Sequence, residues 1–130
     1  MTDALSAATA ALFGALEGAI GMAVFQHVPQ DHDPAVPVTV IADITSSGTL
    51  SKGADDDVRL TVTIYTIVQG RQNRPVTVAQ GLIVAALDGK ALAQDGWMIA
   101  PSLTRRECRL MEDGITYLGT TLFSALALSD

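Results

Sequence analysis

Val36 to Ile44 reads VPVTVIADI and Val58 to Val68 reads VRLTVTIYTIV. In the first run Val36, Val38, Val40, Ala42 and Ile44 share one face, against Pro37, Thr39, Ile41 and Asp43. In the second, Val58, Leu60, Val62 and Ile64 oppose Arg59, Thr61, Thr63 and Tyr65. Side chains alternate sides along an extended chain, so a period of two held over such lengths predicts half-buried strands. Between them, Thr45 to Asp57 is the most polar stretch of the chain and is expected to be a loop.

The flanking segments complete an α+β pattern. Upstream, Leu5, Ala8, Leu12, Phe13, Leu16 and Ile20 recur at helical spacing, which predicts a helix from Asp3 to about Ala19 capped by Thr2 or Asp3. A short extended segment over Met22 to Val28 follows, ended by Pro29. Downstream, Gly70 to Arg74 is a basic turn and Pro75 suits the first turn of a second helix. Val78, Leu82, Ala85, Ala86 and Ile83 are expected to face the sheet, with Gly89 as the stop. Two strands, roughly Gly96 to Met111 and Ile115 to Leu126, are joined at Asp113-Gly114, residues that tolerate the positive φ of a tight hairpin. A turn centred there pairs Leu110 with Tyr117 and Arg106 with Thr121. The order α-β-β-β-α-β-β predicts two helices on a largely antiparallel sheet, in a single domain over residues 1–130.

Composition narrows the function. Aromatics are 5% of the chain against 48% apolar residues overall, so Ala, Val, Leu and Ile must fill the core. A net charge of −6 argues against nucleic-acid binding, which needs clustered Lys and Arg. Ala4 to Leu16 is uncharged but too short to span a bilayer, and the first basic residue is Lys52, so a soluble cytoplasmic product without membrane contact is expected. The single cysteine, Cys108, forbids an internal disulfide.

Chemical motifs are sparse. Asp31, His32 and Asp33 are adjacent in an extended loop and point apart, which does not suit one coordination sphere. Asp55, Asp56 and Asp57 lack the spacing and distal Glu of a calcium loop. Cys108 has its only two histidines far away in sequence, and phosphate-loop or nucleotide fingerprints are absent. A non-enzymatic protein without cofactor or metal is expected. Arg105, Glu107 and Arg109 form a mixed-charge row, read as continuing the face of Trp97, Ile99 and Leu103. With Arg71 and Arg74 they are candidate contacts to a neighbouring subunit, its Asp55 to Asp57 supplying the acidic side. The Thr45 to Asp57 loop and the Gln69 to Arg74 turn are expected at one end of the sheet, within reach of such neighbours.

In order along the chain, VFQHVPQ (24–30), PVTVIAD (37–43), VRLTVTIY (58–65), Gly70-Arg71 with the helix to Leu87, and LMEDGITYLGTTLFSAL (110–126) resemble the tail-terminator or tail-completion proteins of long-tailed phages and gene transfer agents. The chain departs from the commoner pattern at Thr66, where an aromatic is usual, and around Tyr117, where a basic residue is frequent. The resemblance implies a homo-oligomeric, hexameric ring at the head-proximal end of a tail in a phage-like particle assembled in bacterial cytoplasm. Its implied partners are the tail-tube protein and the head-neck connector, with DNA passing through unbound. Another neck component, or a small-ligand-binding α+β domain, are the alternatives.

Overall fold

The computed structural model describes residues 3–22, 24–26, 28, 30–49 and 58–129. Helix α1 (Ala4–Glu17) begins at Asp3, whose carboxylate accepts the Ser6 N–H at 2.7 Å and so satisfies one of the free donors of the first turn. Strands β1 (Val24–Phe25), β2 (Val38–Thr49) and β3 (Val58–Gln69) follow, then α2 (Arg74–Leu87), β4 (Leu92–Gln94), β5 (Trp97–Leu110) and β6 (Thr116–Ser129). They form one six-stranded sheet in the order β1-β2-β3-β6-β5-β4, antiparallel except for the β1–β2 pair. The α+β architecture holds. The polar stretch expected to be a loop from Thr45 extends β2 as far as Thr49 instead.

Strand β4 is an addition to the expected order. It pairs with β5 through the two-residue turn Asp95-Gly96, where both residues have positive φ, 50° and 85°. This is the Asp-Gly hairpin geometry expected at Asp113-Gly114. At that second site the connection is longer, spanning residues 111–115, yet the ladder is symmetric about Asp113-Gly114. The expected pairs Leu110 with Tyr117 and Arg106 with Thr121 therefore form.

Both helices lie on one face of the sheet. An alanine stripe of α1 (Ala4, Ala7, Ala8, Ala11) packs with Leu60, Trp97, Ile99, Ala125 and Ala127. The small side chains let the helix axis approach the strands. Leu12, Leu16 and Ile20 join Ile41, Val62, Ile64, Ile83, Leu87 and Phe123 in a second cluster. Leu5, expected in the buried stripe, is instead exposed.

Two bulges overturn the expected faces. Between Ile41 and Asp43, β2 carries an extra residue, Ala42, so Thr39 and Ile41 face the helices before it and Ile44 after it. Val38 and Val40 thus lie on the opposite face, with Ile67 and Tyr65 as cross-strand neighbours. Val28 and segment 30–36 reach this side, with Val28, His32 and Pro34 around Val38 and Ile67, and the Gln69 N–H donates to Pro34 O at 2.8 Å. Without the bulge, Asp43 would follow Thr39 and Ile41 toward the helices, and an unpaired carboxylate there is costly.

The second bulge, between Leu103 and Arg105, does the same for β5. Trp97 and Ile99 face the helices, but Arg105, Glu107 and Arg109 do not share their face as expected. They pair beside Leu122, Thr120 and Leu118 on the open side of the sheet. Arg106 takes the helix side in their place and stays exposed at its edge.

Helix α2 is also rotated from the expected orientation. Val76, Ala79, Gln80, Ile83 and Leu87 are buried, whereas Val78, Leu82 and Ala85 are exposed. Gln80 explains the rotation: its Nε2 donates to Glu107 O at 2.8 Å and its Oε1 accepts from Arg106 Nε at 3.3 Å. Arg106 also donates to Thr77 O at 2.7 Å. Gly119 on β6 makes room for this contact, since a Cβ there would sit 2.4 Å from Val76 Cγ1 and 2.7 Å from Gln80 Nε2.

Thr39, Thr66 and Thr121 are fully buried on the helix face. Thr39 and Thr66 share a hydroxyl contact at 3.3 Å, while the Thr121 hydroxyl has no partner among the described residues. Thr121→Val, which keeps the branched shape and removes the orphaned group, is expected to raise stability by about 1 kcal/mol in urea unfolding. A loss of stability would mean that the hydroxyl is satisfied.

Candidate interaction surfaces

The arginine row stands on the open face of the sheet. Arg105 Nη2 and Glu107 Oε2 form an ion pair at 2.6 Å, both exposed, so the charges expected to meet a neighbour are partly matched within their own strand. Such exposed pairs contribute little to stability. Arg109 is exposed beyond them. Half-buried Leu118, Leu122, Leu126 and Leu128 of β6 share this face.

Arg71 and Arg74 are exposed in the β3–α2 connection and its first helical residue. This turn leaves β3 at Gln69, whereas the connection from β2 enters it at Val58. The two connections therefore lie at opposite ends of β3, contrary to the expectation of one shared end. Asp55, Asp56 and Asp57 fall outside the described residues.

Beside Arg74 lies a groove of about 340 Å³, floored and walled by Ile20, Met22, Pro37, Val78 and Leu82. The rotation of α2 creates it, because turning Gln80 inward leaves Val78 and Leu82 50% and 40% exposed. The sequence expectation that Val78 and Leu82 face the sheet leaves no room for such a groove.

A second apolar feature occupies the tip of the β5–β6 hairpin. Leu110 and Ile115 are 49% and 51% exposed, and Met111 lies between them. Glu112 and Asp113 lie between Met111 and Ile115 in the chain. The tip is well built: Met111 N–H donates to Thr116 O, Gly114 N–H to Met111 O, and Gly70 N–H to Ile115 O. The Asp113 carboxylate accepts from the Thr116 hydroxyl and from the Ile115 and Thr116 amides.

These bonds, the Thr116 hydroxyl first, hold the Asp113 carboxyl below its ordinary value of 3.8. A carboxylate lowered in the folded state supports the turn above the unfolded value, and that support is lost as pH falls through the lower folded value. The Thr116 amide resonance is accordingly expected to shift at a pH below 3.8 in the intact chain, and Asp113→Asn to abolish the transition. A midpoint above the ordinary carboxylate value would contradict the assigned bonds.

The remaining candidate chemistry is spent on local structure. His32 Nε2 bonds Val36 O at 2.8 Å, and Asp33 Oδ1 accepts the Ala35 N–H. Cys108 faces the helix side beside Gly119, and burial pushes its thiol up against the lowering influence of Arg106. Among the described residues no group of three His, Cys, Asp or Glu side chains is placed to hold a metal, and no helix is long and apolar enough to cross a membrane.

Compared with solved structures, the chain superposes on one from the virion of a native gene transfer agent particle with a TM-score of 0.82, over 98% of each chain and at 17% identity. It shares that virion chain's fold. A second solved chain superposes with a TM-score of 0.70 over 96% of each, at 10% identity. No protein-family model matches the sequence, and no curated protein matches it significantly.

Proposed function

We propose that this chain is a non-enzymatic structural protein of a phage-like particle and acts as its tail terminator. In this reading a single domain over residues 1–130 assembles into a hexameric ring at the head-proximal end of the tail. The ring halts tail-tube polymerisation and joins the tail to the head-neck connector. The observation that carries the proposal is the end-to-end superposition on a gene transfer agent virion chain, 98% of each without a large unmatched insertion or extension. Agreement in order with the terminator-like stretches from Val24 to Leu126 supports the specific role within such a particle.

The charge of the chain suits a passage for DNA. Six copies, each carrying −6, would repel phosphate rather than hold it, so DNA would traverse the ring without specific binding. Arg71, Arg74, Arg105, Glu107 and Arg109, with Asp55 to Asp57, are proposed contacts to tube or subunits. A weakly basic patch on an acidic chain favours such protein contacts over nucleic acid.

Deleting the gene and imaging the particles tests the role. Tails that overrun their normal length and fail to join heads are expected. Tails of normal length attached to heads would overturn it. Capture by purified tube protein is expected, and capture only by portal-side protein would assign the chain to another neck component.

A further inference from the structure

The hairpin tip and the groove are complementary in both shape class and charge. The tip is a projecting apolar knob (Leu110, Met111, Ile115) beside Glu112 and Asp113, and the groove is an apolar recess beside Arg74. Among the described residues neither the Glu112 carboxylate nor the Arg74 guanidinium has a side-chain partner. We propose that the β5–β6 hairpin tip of one copy seats in the α1–α2 groove of the next, with Glu112 and Asp113 against Arg74. This rests on the ring reading above and names the contact that would build the ring.

The knob cannot serve its own groove. Gly70 N–H to Ile115 O and the β6–β3 ladder fix it in the sheet, two to three strand positions from β2, roughly 10–15 Å to the side of Pro37. A second copy is the occupant that the charges select. Two knobs facing one another would oppose four carboxylates with only the two Arg109 guanidinium groups to offset them, and two grooves would oppose two arginines. Knob into groove is the pairing that matches unlike charges, and apolar anchors seated in a pocket with a charged rim are the usual carriers of interface affinity. Because the two patches differ, the contact is heterologous, and successive copies related by a closing rotation form a ring.

Disulfide trapping in the full chain tests this, in a Cys108→Ser background. Chains carrying Ile115→Cys mixed with chains carrying Leu82→Cys are expected to give a covalent dimer on oxidation, whereas either alone stays uncrosslinked. Both substitutions in one chain are expected to give a ladder that ends in a closed species. Ile115→Asp should weaken self-association at least about tenfold by light scattering, the scale of losing one anchor side chain, while Leu5→Asp at the far end of α1 leaves it unchanged. Both sites are exposed, and circular dichroism checks the fold. An oligomeric parent chain without the mixed crosslink would overturn this contact and leave the ring standing. A monomeric parent without the crosslink would overturn both. Crosslinking by Ile115→Cys alone, or an unchanged mass for Ile115→Asp, would also overturn the contact.

Discussion

Phe123→Ala is expected to remove about 3–5 kcal/mol of stability, the cost of truncating a fully buried aromatic side chain. Phe123 is 0% exposed and lies in the cluster of Leu12, Leu16, Val62, Ile64, Ile83 and Leu87, where both helices meet the middle of the sheet. Its β-ladder neighbours, Val62 and Leu103, are anchored by hydrogen-bonded strands and cannot collapse into the space. A domain of ordinary stability has about 5–15 kcal/mol in total, so the loss would take a large share of it. Phe123→Leu, which retains most of the volume, should cost much less. Urea unfolding of the two variants measures the difference. Equal small losses would place the packing centre elsewhere.

Gly119→Ala is the second severe substitution, and its effect runs through α2. The added methyl would lie 2.4 Å from Val76 Cγ1 and 2.7 Å from Gln80 Nε2, distances that force the helix away from β6. Overpacking of this kind costs about 1–3 kcal/mol. Moving α2 would also strain the Gln80 bonds to Glu107 O and Arg106. Val76→Ala removes the nearest obstructing atom, so the double variant should be more stable than the sum of the single losses predicts. Strict additivity in a denaturation cycle would show that the close approach is absent in solution. The groove depends on the same helix position, so Gly119→Ala should also weaken self-association through Val78 and Leu82.

Much of the secondary structure was written locally. Asp3 caps α1, Pro75 opens α2, and the alternation of Val58 to Val68 forms β3 on the expected faces. Symmetry about Asp113-Gly114 set the register of the long hairpin. Asp95-Gly96 carries the same signal, but the short β4 before it has too few residues to show a period of its own. The candidate surfaces were harder to read. Exposed Leu110, Met111 and Ile115 resemble core residues in one dimension, and only packing shows that no element among the described residues covers them. Gln80 presents the reverse case: a polar side chain buried because Glu107 O and Arg106 require it.

Element type, hairpin register and acidic charge thus follow from the sequence, because each depends on neighbouring residues or on a simple sum. The assignment of faces follows from tertiary structure. An extra residue at Ala42 and another between Leu103 and Arg105 reverse the alternation, and their effect is visible only once the helices define an inside. For β2 the physical reason is the cost of desolvating the Asp43 carboxylate, which exceeds the cost of a local break in the ladder. The same helix layer selects Val76, Ala79, Gln80, Ile83 and Leu87 for burial and leaves Val78 and Leu82 to line a groove.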